Sequence, residues 1–157
     1  MSRNSSRSRS KRGIGCLELG LSSFLMVVCS ALGLNMTLMV MGMSLNDSAC
    51  RDAARAAAQQ STSALALKSA QAQLLVHATD GSFISQPSLS STASPDFVYN
   101  DYSGNPPTNA SPYVTVSTIV AIRLPFPMLF FSQRVATNSL NFKRTYTFPI
   151  IKETFYD

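Results

Sequence analysis

Hydrophobic and polar positions divide the chain into four zones. From Leu19 to Met43 there are 25 consecutive residues without a charged side chain. A helix of that length runs about 37 Å, enough to cross a hydrocarbon core of about 30 Å with some tilt. It exceeds the apolar core of a signal peptide, typically ~7–15 residues. The pattern therefore predicts a transmembrane helix over 14–45. Residues 46–78 then read as an Ala-rich helix. Asp47 with Arg51 and Asp52 with Arg55 have the spacing of helical ion pairs. Ala57, Ala64, Leu67, Leu74 and Ala78 form the expected apolar stripe. Neither Pro nor Gly lies between residues 43 and 80, so the two segments can be one rod from about residue 15 to 78, about 95 Å long. Asn46 to Ser48 offer a place for a bend, because such residues also cap helices. Gly81 after Asp80 supplies the stop.

Residues 79–112 are rich in Ser, Pro, Asn and Gly and read as a long surface loop, with "DFVYND" as a short strand inside it. The period then changes to two. Val114, Val116, Thr118, Val120 and Ile122 share one face of a strand over 113–124. Leu140, Phe142, Arg144, Tyr146 and Phe148 share one face of a second, over 139–148. Two strands alone are marginally stable, so they require the apolar stripe of the helix. The expected fold is α+β: a long N-terminal helix, spanning the membrane and continuing outside it, packed against a small antiparallel sheet over 113–157. Between the strands, "PFPMLFFSQ" (125–133) is apolar, and its two prolines oppose a regular strand. It reads either as a loop tucked into the core or as a docking or membrane-interface patch.

Charge adds an orientation. Arg3, Arg7, Arg9, Lys11 and Arg12 crowd into residues 1–13 without an acid, while the other eight basic residues are balanced by eight acids. The net charge of +5 thus belongs to a basic leader. Basic residues ahead of the apolar run place the N-terminus in the cytoplasm and the region after it outside. The neutral balance elsewhere argues against nucleic acid as a partner.

Chemistry-bearing residues are sparse. Cys16 and Cys50 would stand about 50 Å apart on one helix and cannot bridge. No cysteine has a histidine at metal-ligand spacing, so no metal or other cofactor is expected. His77 is the only histidine and reads as a polar helix-end residue. Nothing suggests an enzyme. Within the apolar run, Gly33 and Thr37 form a small-xxx-small pair suited to helix packing. Asn35 is a mid-membrane amide that calls for a partner.

Glu18 at the head of the run has three readings. It snorkels to the interface, or it pairs with Lys11 or Arg12. In the third, it neutralises an amine made by cutting the chain between Gly13 and Ile14. The last reading comes with a resemblance. "KRG" followed by "IGCLE" resembles the prepilin cleavage signature, with Gly13 before the cut, Ile14 first in the product and Glu18 fifth. "LNDSACRDAARAAAQQ" (45–60) resembles the segment after the membrane helix in TadE-like proteins, minor pseudopilins of the tight-adherence (Flp) pilus. The resemblance covers residues 10–60. It implies processing by a prepilin peptidase and a structural part in pilus assembly, with other pilins or pseudopilins and the assembly machinery as partners. The alternative is a single-pass membrane protein, unrelated to pili, with an extracytoplasmic binding or adhesive head.

Overall fold

A computed structural model describes residues 6–126, 129–130, 133–134 and 139–150, with side chains described from Gly15 onward except over 127–138. The fold is α+β, a long N-terminal helix packed against a small antiparallel sheet. Contacts divide the chain into two units, Met1–Thr37 and Leu38–Asp157.

Helix α1 spans Ser6–Ala58, beginning inside the basic leader. Its residues Gly15–Ala58 include a stretch long and apolar enough to cross a membrane. The helix runs without interruption through Asn46–Ser48. Asn46 turns its side chain into the head, as described below.

The expected single helix over 46–78 is, in the structure, two. α1 stops at Ala58, and α2 spans Ser63–Val76. Thr62 caps α2: its backbone is extended and its hydroxyl accepts from the Leu65 N–H. The return is antiparallel, since Ser69 Oγ donates to the Ala56 carbonyl at 3.2 Å and His77 meets Asp52 further back along α1. Packing explains the break. Ala49, Ala53, Ala54, Ala57 and Ala58 of α1 lie in one buried cluster with Ala66, Ala70 and Leu74 of α2. Alanine faces let the helices approach closely, which a straight rod would forgo. The break also resets the helical phase. Ala64 and Ala78, expected in the stripe, are exposed, and Ala66 and Ala70 take the buried positions.

The strands follow their alternation. β3 (Tyr113–Arg123) and β6 (Ser139–Pro149) pair antiparallel along their full length, from Tyr113 opposite Pro149 to Arg123 opposite Ser139. Val114, Val116, Thr118, Val120 and Ile122 are all buried, as their spacing requires. Each buried Val or Ile contributes about 1.5–3 kcal/mol relative to exposure. The opposite face is lined with hydroxyls, where Thr115 meets Thr147 and Ser117 meets Thr145 at 2.9 and 2.7 Å.

The 79–112 segment does more than loop over the surface. β1 (Ser88–Leu89) and β2 (Phe97–Asn100) both pair with β3 on the edge opposite β6, and Ile84 adds a bridge to Ile122. A 3-10 turn, Tyr102–Gly104, follows β2. β3 is thereby central, with both edges occupied, which protects its backbone from foreign pairing. Between β3 and β6, β4 (Leu129–Phe130) and β5 (Gln133–Arg134) make a short antiparallel ladder despite the prolines. At the start of that segment Pro125 and Phe126 are exposed, and the side chains of 127–133 lie outside the described residues.

Candidate functional site

The residues singled out for cleavage and packing all fall on α1. Gly13 and Ile14 belong to its first turns, with side chains outside the described residues. Glu18 follows one turn later and is exposed. Among the described side chains it joins no ion pair; those of Lys11 and Arg12 lie outside that set. Leu17, Leu19, Leu21, Phe24, Leu25, Met26 and Val27 are all exposed as well. Such a continuous apolar surface is stable only against lipid or another apolar helix.

The polar residues of this stretch divide by role. Ser30 donates to the Met26 carbonyl and Thr37 to the Gly33 carbonyl, at 2.8 and 2.9 Å. Both hydroxyls satisfy themselves on their own helix, so they cost little in lipid. Thr37 and Gly33 are thus joined as well as neighbouring. A Cβ added at Gly33 would meet nothing within 4 Å, leaving that flank open for a second helix. Asn35 differs: it is fully buried while Leu34 and Met36 beside it are exposed. Of the three packing candidates, only Gly33 and Thr37 therefore present open surface.

The start of the second unit is built on residues the pattern did not single out. At Gly42 an added Cβ would lie 2.3 Å from Ile122 Cδ1 and 2.7 Å from its Cγ1. This glycine, rather than Gly33, is where the chain packs tightly on itself. Asn46 is buried, donating from Nδ2 to the Phe142 carbonyl at 2.9 Å and accepting at Oδ1 from Thr118 at 2.7 Å. One amide thus ties α1 to both long strands. Cys50, one turn on, directs its thiol to the carbonyls of Val116 and Arg144 at 3.3 and 3.4 Å, again one contact per strand. Burial pushes this thiol above its usual range, which keeps it protonated and unreactive. An available signal was the spacing of Gly42, Asn46 and Cys50, four apart, which marks a face of small and polar residues running out of the apolar segment.

Asp47 gathers the head's strongest electrostatics. Its carboxylate accepts from Tyr146 at 2.9 Å and from Arg51 at 2.6 Å, with Arg144 at 3.8 Å. The Tyr146 hydroxyl, then Arg51, hold its pKa below the ordinary carboxylate range. The Asp47–Arg51 pair is thus present as the spacing predicts. The Asp52–Arg55 pair is replaced: Asp52 faces His77 at 3.1 Å, and Arg55 lies over the Phe148 ring at 5.7 Å. The helical return brings His77 to an acid that is 25 residues away in sequence. On the sheet's edge, Lys143 and Ser90 both bind Asp96, and these hydrogen bonds depress its pKa.

Two open grooves mark the surface. One of about 460 Å³ lies between α2 and the β1 segment, lined by Gln71, Leu74, Leu75, Gln86, Pro87 and Leu89. A second of about 670 Å³ lies along α1 beside Val40, Met41, Leu45, Ser48, His77 and Ile84. Among the described residues no group of three or more His, Cys, Asp or Glu could hold a metal ion.

No family model matches the chain, and no curated protein or solved structure matches it.

Proposed function

We propose that the protein is a structural component of pilus assembly, a TadE-like minor pseudopilin anchored by the apolar part of α1 and cut between Gly13 and Ile14 by a prepilin peptidase. Its N-terminus faces the cytoplasm and its head the far side of the inner membrane. It performs no catalysis. Its partners are other pilins or pseudopilins and the assembly machinery.

One observation carries this reading: a lone carboxylate, Glu18, five residues after Gly13, opens a helix whose large apolar side chains are exposed. An anion at the edge of the hydrocarbon is costly unless a cation meets it. Cleavage supplies one, the α-amino group of Ile14, which in an assembly can lie against the Glu18 of a neighbouring subunit. The open flank at Gly33 and the self-satisfied Thr37 suit such lateral packing.

Glu18→Gln tests it. The amide keeps size and hydrogen bonding and removes the charge. The variant is expected to insert, to be processed and to have a normal head, yet to be recovered less than about a tenth as often in assembled complexes as the wild type. Unchanged assembly would leave Glu18 a residue of the membrane interface and return the protein to the alternative, a single-pass anchor for a binding head.

A further inference from the structure

The head begins before the apolar run ends. The apolar run continues to Met43, but Leu38 and Met39 already pack against Val120, Ile122 and Leu124, and Gly42 is closed over by Ile122. β3 descends along this part of α1: Cys50 reaches Val116, Asn46 reaches Thr118, and Gly42 abuts Ile122. The Arg123 end of β3 therefore lies beside the apolar end of the head's helix, and Tyr113 lies about 30 Å away at the other end of the strand.

At that lower end the head shows apolar side chains to its surroundings. Val40 is 67% exposed and Met41 56% on the helix; Phe83 is 47% and Phe126 43% on the segments flanking β3. A backbone bond holds the Phe83 segment to the strand end, since the Arg123 N–H donates to the Phe83 carbonyl at 2.7 Å. Arg123 itself is exposed beside them.

Counting residues fixes what covers this surface. A hydrocarbon core takes about 20 helical residues, and the headgroup layer adds about 5–7 Å on each side, or about four more. A span entered at Leu19 leaves the core near Leu38 and the headgroups near Gly42. That is the stretch around which the head is built.

We propose that the base of the head, Phe83 and Phe126 with Val40 and Met41, is a membrane-interface surface seated in the outer-leaflet headgroup layer of the same bilayer, with Arg123 at the level of the lipid phosphates. The occupant of this surface is phospholipid. Burying the rings in the acyl boundary and leaving a guanidinium among phosphates matches how interfacial segments divide their apolar and cationic sides. The inference rests on the transmembrane reading of α1 and not on cleavage or pilus assembly.

The chain has no tryptophan, so a single introduced one reports alone. Full-length Phe83→Trp, Phe126→Trp, Tyr102→Trp and Leu25→Trp are reconstituted into phosphatidylethanolamine–phosphatidylglycerol vesicles with or without acyl-chain-brominated lipid. Leu25 lies in the span and reports anchoring; Tyr102 lies in the 3-10 turn near the opposite end of the head. Brominated lipid is expected to quench the fluorescence of the Leu25→Trp variant strongly. It should quench the Phe83 and Phe126 variants at least threefold more than the Tyr102 variant, which soluble acrylamide quenches instead. Quenching of the Leu25 variant alone overturns the seated base while leaving the anchor intact. Blue-shifted emission at positions 83 and 126 that brominated lipid does not alter means that protein covers the base, and also overturns it. Loss of quenching in the Leu25 variant removes the anchor and the seat together.

Discussion

At the scale of single residues, the close approach at Gly42 is the sharpest feature. Gly42→Ala gains about 1 kcal/mol of helix propensity. It also forces a methyl into Ile122, at a cost of about 1–3 kcal/mol for overpacking. The net expectation is a lower unfolding temperature in detergent, restored toward wild type by adding Ile122→Val, which removes the Cδ1 atom at 2.3 Å. Gly33→Ala, with nothing within 4 Å, should not lower it at all. Equal effects at the two glycines would refute the packing described for the head. The sequence favoured Gly33, because a glycine four residues from Thr37 has a known use in membranes. The only local mark of Gly42 is its spacing of four from Asn46, and its partner Ile122 is 80 residues distant.

Asp47 sets an acid dependence whose sign follows from its pKa. The Tyr146 and Arg51 contacts lower the folded value, so on acidification the unfolded chain takes up the proton first. The stabilisation is complete above the ordinary carboxylate range and is lost as pH falls through the folded value. Asp96 adds a limb of the same sign. Asp47→Asn should make the fall in stability below about pH 4 shallower without abolishing it, read by denaturant titration at a series of pH values. Superposable acid limbs for variant and wild type would show that the Tyr146–Asp47–Arg51 cluster does not form in solution. The ion pairs themselves were half legible. Asp47–Arg51 follows from spacing, whereas Asp52 meets the imidazole of His77, which only tertiary folding delivers.

At the scale of elements, the strands were written plainly and the helix break was not. An alternating strand with one buried face displays its period whatever lies elsewhere, and β3 and β6 keep theirs over 11 residues each. Alanine is ambiguous: it is the best helix former and also the side chain that lets two helices touch. Residues 53–58 therefore read as a helix continuing when they are a helix about to fold back. The one local signal was the run Ser61-Thr62-Ser63, a natural N-cap placed inside a helical pattern. The short strand β1 was hidden for a different reason: it is recruited by the free edge of β3, and its own composition is that of a loop, whereas β2 lies in the "DFVYND" stretch that reads as a strand.

Thr62 tests this return. Its contact with the Leu65 N–H is long at 3.4 Å, so the cap sits at the weak end, about 0.5–1 kcal/mol. Thr62→Ala should lower the unfolding temperature of the full chain by roughly 2–4 °C, and Thr62→Asp should recover the loss. If alanine were as stable as threonine, α2 would not start there, and one continuous rod would again be the better description.

At the scale of the whole molecule, the structure has an apolar helix exposed along its first unit and a head of helix hairpin and sheet in its second. Burial within the head is satisfied by its own residues; the helix requires an apolar environment that the chain does not provide. That requirement is as legible in the 25 uncharged residues as in the coordinates. The level at which the head meets the membrane was not legible, since nothing local shows that Leu38, Met39 and Gly42 pack against a strand far along the sequence. In the function proposed here, Glu18 is a carboxylate held for a cation that processing creates.

The identity of the first residue of the protein in cells that contain an active prepilin peptidase tests that claim most directly. Intact-mass and N-terminal peptide measurement of the membrane-extracted protein is expected to find Ile14 first, and Gly13→Ala to leave the basic leader attached. A native protein beginning at Met1 or Ser2 in those cells, or a Gly13→Ala variant trimmed as efficiently as wild type, would contradict the account.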